Sequence, residues 1–295
     1  MQPSVTTRCG SIAIIGRANV GKSTLLNEIL GEKLSITSEK PQTTRQQIIG
    51  IKTQGNIQCI YIDTPGFHKP TQRRLSREMV RSAVSALASV DVIGFVVEVD
   101  RWTDADMAIL ERLKQQNQPV ILIINKIDKI KHKIDLLPYL QQCSEKMAFL
   151  AIVPLSAQSG DNVAELEKIA AEQLPLAEFC YPADQCTQHS RDFWAAECIR
   201  EKLMRALYQE LPYWLTVLIE RFEEQSDLIR IAAVILTERP GQKTIIIGKK
   251  GELLKKIGTE ARLDMQHRFG KKVYLHLWVK IKAGWSEEES LWRNQ

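Results

Sequence analysis

SIAIIGRANVGKSTLLNEIL, residues 11–30, decides the reading of this chain. Ser11–Ile15 is a short apolar run that stops at Gly16, and from Lys22 to Leu30 the apolar residues return at helical spacing. Strand, loop and helix follow in that order. The loop, Gly16-Arg17-Ala18-Asn19-Val20-Gly21-Lys22-Ser23, fits G-x-x-x-x-G-K-[ST]. Its glycines let backbone N–H groups curl round a phosphate at the N-terminus of a helix, where the dipole favours anions. Lys22 is placed to reach the β- and γ-phosphates and the Ser23 hydroxyl to bind Mg²⁺, with Thr24 beside them in the same site. By composition alone the pattern arises in about 1 chain in 100 of this length. Its seat between strand and helix argues against a merely tight turn.

Outward from this loop the same alternation repeats. Ile57–Ile62 reads as a strand ending at Asp63, residues 73–89 as a helix through Leu75, Met79, Val80, Val84 and Leu87, and Val92–Val99 as a strand. A helix over 104–116, a strand Val120–Ile124, a further helix, a strand Ala151–Leu155 and a helix over 161–174 follow. Strands alternating with helices predict a mostly parallel α/β sheet covered on both faces. Each special sequence falls at the carboxyl end of a strand, the edge where such sheets bind ligands.

Asp63-Thr64-Pro65-Gly66 supplies a carboxylate to hold Mg²⁺ through water and a Gly66 N–H for the γ-phosphate. Asn125-Lys126-Ile127-Asp128 selects the base. Guanine presents N1–H and an amino group side by side, and the Asp128 carboxylate accepts both; adenine would leave it unpaired. Asn125 fixes the loop and the purine edge, the Lys126 stem covers the ring, and Ser156-Ala157 places a backbone N–H near the guanine oxygen. In this order the four elements describe a GTP-binding domain, and a P-loop ATPase has no use for NKID. Between the first two lies Gln42-Thr43-Thr44-Arg45, a first switch in which a threonine completes the Mg²⁺ shell. Thr44 is favoured over Thr43 by little. Lys22, Thr44, Asp63 and Gly66 are the candidate catalytic residues. Phe67 stands where Ras-like enzymes carry a water-orienting Gln, which predicts slow intrinsic turnover or help from elsewhere.

The chain has 295 residues with 40 basic and 35 acidic side chains, a net charge of +5. Its length suggests two domains. The pattern lapses over Leu174–Gln188, which sets domains at 1–176 and 191–295 with a linker over 177–190. The second half reads as helix 191–209, strands Trp214–Phe222 and Leu228–Leu236, a helix over about 252–268 and a strand Val273–Ile281, a small α+β domain. Within it residues 239–282 hold 12 basic and 3 acidic side chains, or +9, between flanks of −4 and −2. Such a block is a nucleic-acid footprint or a solvated helix face. Gly248-Lys249-Lys250-Gly251 lies inside it, after a strand-like Ile245–Ile247 and before an amphipathic helix. A Gly-x-x-Gly loop in that setting approaches a single-stranded backbone with lysines on the phosphates. Ile245–Ile247 and Leu253 read either as the surface under the bases or as core. Lys255, Lys256, Arg262, Arg268, Lys271 and Lys272 extend the basic surface, and the arrangement points to a KH-type RNA-binding domain. Cys9, Cys59, Cys143, Cys180, Cys186 and Cys198 make no zinc or disulfide pattern, Cys180 and Cys186 falling in the linker, and suit a reducing cytoplasm. No apolar run is long enough to span a membrane, and the first ten residues do not resemble a signal peptide.

With both halves placed, the chain resembles the Era-like family of bacterial GTPases with a C-terminal type II KH domain. The likeness rests on GRANVGKSTLLNEILG, SITSEKPQTTR, DTPGFHKP, NKID, Leu211-Pro212-Tyr213, IIIGKKG and GWSEEES, and covers nearly the whole chain. It implies GTP/GDP and Mg²⁺ as ligands and a role in small ribosomal subunit assembly, with binding near the 3′ end of the small-subunit (16S) rRNA. Ile247, Gly248, Lys249, Lys250, Gly251 and Lys255 are the expected RNA contacts. It also implies peripheral membrane association in some bacteria and K⁺-stimulated hydrolysis through Asn19; the isolated thiols set the chain in the cytoplasm, and a monomer is expected. Ala18 stands where many relatives carry proline. Two other readings use the same residues: an RNA-binding scaffold with a vestigial nucleotide pocket, and a GTPase whose partner is a protein or a membrane.

Overall fold

Uninterrupted apolar runs make buried strands, and two of them are adjacent interior strands of the first sheet: β4 (Val92–Glu98) and β5 (Val120–Asn125). In this computed structural model, residues 6–38, 40, 43–66, 77–79, 81, 83, 85, 87, 89–130 and 136–288 are described. The first sheet has the order β2-β3-β1-β4-β5-β6, with β1 at Arg8–Ile15, β2 at Ile48–Gln54, β3 at Ile57–Asp63 and β6 at Ala151–Pro154. All neighbours are parallel except β2, which pairs antiparallel with β3.

Helix α1 (Lys22–Leu30) turns Leu25, Leu26 and Ile29 inward. On the other face Phe95, Val97, Leu122 and Ile124 form one core with α2 (Asp104–Leu113) and α3 (Leu136–Ser144). Helix α4 (Val163–Glu172) completes the unit. Of the helix expected over 73–89, residues 77–79, 81, 83, 85 and 87 are helical, and Met79 and Leu87 are buried; Leu75, Val80 and Val84 lie outside the described residues.

Two features depart from expectation here. Strand β2 was not foreseen, although Gly55-Asn56 between two apolar runs is a hairpin signal. The segment beyond α4 carries few apolar residues, yet it is tied to the sheet. Ala177 N donates to Thr7 O at 3.1 Å and the Thr7 hydroxyl donates to Ala177 O at 2.7 Å, Ile51 N donates to Cys186 O at 2.8 Å, and the Thr187 hydroxyl donates to Ile49 O at 2.8 Å. An edge strand leaves polar groups unpaired, and this segment satisfies part of β2.

Of the described residues, those up to Gln188 form this first unit, and those from His189 belong to a second. There α5 (Arg191–Ala206), α6 (Pro240–Ile247) and α7 (Glu252–Phe269) accompany the sheet β7-β8-β9, formed by Leu215–Glu224, Leu228–Thr237 and Lys272–Ile281. β7 and β8 are antiparallel, β8 and β9 parallel. The strand-like reading of Ile245–Ile247 is corrected: these residues end helix α6. Pro240 sits in its first turn, Gln242 caps back onto the Glu238 and Arg239 amides, and Gly248 stops it. These caps, with Ile246 fully buried in the core, override the β preference of three isoleucines.

Candidate nucleotide and nucleic-acid sites

The loop after β1 has its shape from close packing. Gly21 has φ +100, and a Cβ there would come within 2.3 Å of Asn125 Nδ2, so only glycine lets the loop meet the one after β5. No side chain caps the start of α1, leaving its first amides facing the loop. Lys22 is buried and donates to Gly16 O at 3.1 Å and Arg17 O at 2.8 Å, lying across the loop it belongs to. Burial lowers its pKa to about 8, with Asp63 opposing the shift.

At the end of β3, Asp63 is fully buried. Its Oδ2 accepts from Ser23 Oγ at 2.7 Å and Ser35 Oγ at 3.1 Å, and Ser23 Oγ lies 2.9 Å from Thr44 Oγ1. Burial raises the Asp63 pKa against the pull of Lys22 and these hydroxyls. Its Oδ1 is a buried oxygen with no hydrogen-bond partner. Ser23, Thr44 and Asp63 thus converge as a set of hard oxygen donors with one carboxylate oxygen unused, which suits Mg²⁺. Thr43 turns away, its hydroxyl donating to Lys40 O at 2.6 Å. Ser35 was not foreseen. Asn27 pins its turn by accepting from the Leu34 and Ser35 amides at 2.9 and 2.8 Å, a tertiary contact that no motif signals. Thr64 is buried against Ile14 O, Pro65 is buried, and Gly66 lies against Ala18. Gln42 and Phe67 lie outside the described residues.

Asn125 connects three segments. Its Nδ2 donates to Val20 O at 2.8 Å, and its Oδ1 accepts from the Lys126 and Ala157 amides at 2.7 and 2.9 Å. Asp128 Oδ1 accepts from Ser156 Oγ at 2.6 Å, bringing together the two segments expected to select the base. The expected N–H for a guanine oxygen differs in one respect: Ser156 N donates to Asp161 O and Ala157 N to Asn125. A purine there has to share or displace one of these bonds.

Glu98, at the end of β4, is a further residue that motif reading missed. It accepts from Arg17, Lys126 and Lys129, each at 3.1 Å. Arg17 also binds Asp106 at 3.0 Å, and Asp106 caps α2 with Thr103. Lys126, held at φ +68, donates from Nζ to Asn19 O at 2.8 Å; Asn19 itself is an exposed residue at φ +66. The phosphate loop and the NKID loop are therefore locked together by Asn125, Lys126 and Glu98.

In the second unit Gly248 (φ +73) ends α6, and a Cβ there would meet Leu253 Cβ at 2.8 Å. Lys249 and Lys250 follow, both exposed, Lys250 at φ +50, with Gly251 and then the exposed Lys255 on α7. Ile246 is core, Ile245 is exposed, and Ile247 and Leu253 pack at the margin. The +9 block is not one patch. Lys271 pairs with Glu224, Lys280 with Glu220 and Lys282 with Glu288, and Arg268 lies over the Trp194 ring at 4.7 Å. The tail is anchored by Trp285, fully buried and donating to Trp214 O at 3.3 Å.

Among the described residues no helix is long and apolar enough to cross a membrane, and no group of His, Cys, Asp and Glu forms a metal cluster. Residues 11–126 match the model of a family described as 50S ribosome-binding GTPase, and residues 210–286 match the KH domain. The chain is 52% identical over 294 residues to GTPase Era of Ectopseudomonas mendocina, covering 100% of this chain and 98% of that protein. GTPase Era of Pseudomonas aeruginosa is 52% identical over 288 residues, covering 98% and 94%. Two crystal structures superpose with a TM-score of 0.93. One is an Aquifex aeolicus Era variant bound to GDP·AlF4⁻, 38% identical and covering 97% of this chain and 98% of its own. The other is Era in complex with MgGDPNP and nucleotides 1506–1542 of 16S ribosomal RNA, 39% identical with the same coverage.

Proposed function

The chain belongs to the Era family of GTPases, and from that premise we propose that it binds and hydrolyses GTP while holding the 3′ region of 16S rRNA on its KH domain, in assembly of the small ribosomal subunit. The observation that carries the nucleotide half is the convergence of Ser23, Thr44 and Asp63, which brings the 43–45 segment onto the phosphate loop. The RNA half is supported by the exposed Gly248–Gly251 loop and by the relative with bound 16S rRNA. The description of the G-domain family names the 50S subunit, but that match spans only residues 11–126. The relative with rRNA spans 97% of the chain, and it is the better guide.

Each group has a part that follows from its place. Gly16–Ser23 and the α1 N-terminus bind the phosphates through backbone amides, with Thr24 in the first turn behind them. Lys22 leaves two carbonyls of its own loop and moves its charge onto the β- and γ-oxygens. Ser23, Thr44 and Asp63 would hold Mg²⁺, which when bound would supply positive charge to the transferred phosphoryl group. Thr44 and Gly66 report the γ-phosphate to the segments around them, and Thr64 and Pro65 hold Gly66 against the loop. Asn125, Lys126, Asp128, Ser156 and Ala157 bind guanine. Lys249, Lys250 and Lys255 pair with RNA phosphates, Gly248 and Gly251 allow close approach, and Ile247 lies under a base. Asn19 is the proposed K⁺ ligand; equal turnover in Na⁺ and K⁺ would remove that assignment. We place the protein in the cytoplasm as a monomer.

The test is the affinity for a 16S 3′-end RNA with GTP analogue, with GDP and with no nucleotide. The proposal expects different affinities for the analogue and GDP states. Identical affinities in all three would reject coupling between the two sites.

A further inference from the structure

The segment joining the two units brings a second thiol to the first strand. Cys9 on β1 is 3% exposed, and its Sγ lies 3.4 Å from that of Cys180, which is exposed. The approach is built from both sides. Cys9 N donates to Pro175 O at 3.3 Å. Beyond Cys180, Tyr181 exchanges two bonds with the Gln58 side chain, at 2.8 and 3.0 Å. The Gln58 oxygen also accepts from the Cys9 thiol at 3.5 Å. The other cysteines are directed elsewhere. Cys9 stands in register with Gln58, so Cys59, the next residue on β3, projects from the opposite face of the sheet. Cys186 is anchored on Ile51, further along β2.

We propose that Cys9 and Cys180 form an oxidation site at which a hydroperoxide converts the two thiols into a disulfide joining β1 to the linker. The Cys180 sulfur, as thiolate, attacks the terminal peroxide oxygen. The O–O bond breaks, alcohol or water leaves, and Cys180 becomes a sulfenic acid. The Cys9 sulfur then attacks the Cys180 sulfur, forming the S–S bond and breaking the S–O bond. The departing hydroxide takes the Cys9 proton and leaves as water. Two thiols have lost two electrons, and the peroxide has taken them. The order follows exposure: Cys180 meets the oxidant, and burial, which raises the Cys9 pKa, keeps Cys9 a thiol until its neighbour is activated. Forming the bond brings the two sulfurs from 3.4 Å to a disulfide length of about 2.05 Å. The bond would fix the linker stretch that hands the chain to the second unit.

The reduced full-length protein, treated with a small excess of hydrogen peroxide at neutral pH and digested without reductant, tests this by mass spectrometry. A Cys9–Cys180 cross-linked peptide that dithiothreitol reverses is expected, together with its persistence in Cys186→Ser and its loss in Cys180→Ser. In Cys9→Ser, dimedone should trap a Cys180 sulfenic acid that the wild-type protein does not accumulate. Cys180 is exposed, so its serine variant keeps the fold and the test does not depend on replacing a buried thiol. Cross-linking of Cys180 to Cys186 or Cys59, or Cys180 reaching sulfinic acid while Cys9 stays reduced, would overturn the proposal.

Discussion

Replacing Glu98 by glutamine tests whether the lock between the phosphate and base loops is electrostatic. The side chain is 13% exposed and accepts three cationic donors, from Arg17, Lys126 and Lys129. Burial alone would raise its pKa, but the bonds from Lys129, Lys126 and Arg17 outweigh it and hold the carboxyl at about 2 against an ordinary 4.5. At 1.36 kcal/mol per unit, that depression corresponds to about 3 kcal/mol of stabilisation as an upper bound. A depressed carboxylate stabilises the fold above its unfolded pKa and loses that contribution as pH falls through its folded value. The advantage of wild type over Glu98→Gln is therefore full at pH 7 and declines between about pH 4.5 and 2. Urea unfolding followed by circular dichroism measures it, in the transition that GDP shifts, since only the nucleotide-binding unit responds to GDP. The expected loss at pH 7 is about 2 kcal/mol, and GDP affinity should fall about tenfold as Arg17 and Lys126 lose their anchor. A variant as stable as wild type at pH 7, or a difference that persists unchanged at pH 3, would refute the reasoning.

Other substitutions separate the roles of single residues. Gly21→Ala should lower GDP affinity at least about 100-fold in a fluorescent-nucleotide titration, because its Cβ collides with Asn125 Nδ2 at 2.3 Å. Asp128→Asn loses an acceptor pair worth about 3 kcal/mol, so guanine nucleotides should weaken about 100-fold while xanthine nucleotides, with a carbonyl in place of the amino group, gain. Competition binding reads both changes. Thr44→Ala should abolish the Mg²⁺-dependent preference for a GTP analogue over GDP, whereas Thr43→Ala, whose hydroxyl serves Lys40, should leave it. Neutralising Lys249 and Lys250 together should flatten the salt dependence of RNA binding by about 1.4 in the log–log slope, at about 0.7 per single-strand phosphate contact.

The nucleotide site was legible because its chemistry depends on contiguous residues. Gly16–Ser23, Asp63–Gly66 and Asn125–Asp128 each follow a buried strand, and the parallel sheet brings those strand ends together. What stayed hidden depends on pairs remote in sequence. Glu98 follows an apolar strand like any terminal carboxylate, and only the register of β4 with β1 and β5 sets it among Arg17, Lys126 and Lys129. Ser35 reaches Asp63 only because Asn27, on α1, holds its turn. Helix α6 is hidden from a local reading because three consecutive isoleucines favour a strand, whereas its caps and the burial of Ile246 are set by the second core.

The charge distribution makes sense once the two sites are compared. In the first unit the proposed function leaves phosphate to amides and a single buried lysine, since Arg17, Lys126 and Lys129 all face Glu98. Fixed backbone dipoles at a helix N-terminus give affinity with little net charge and little response to salt. The second unit carries its excess on the surface, but Lys271, Lys280 and Lys282 are spent on Glu224, Glu220 and Glu288. Lys249, Lys250 and Lys255, at the Gly248–Gly251 loop and the start of α7, are exposed, and the proposed function puts them on RNA phosphates. Nucleotide binding should therefore hold nearly constant over a salt range in which RNA binding falls steeply.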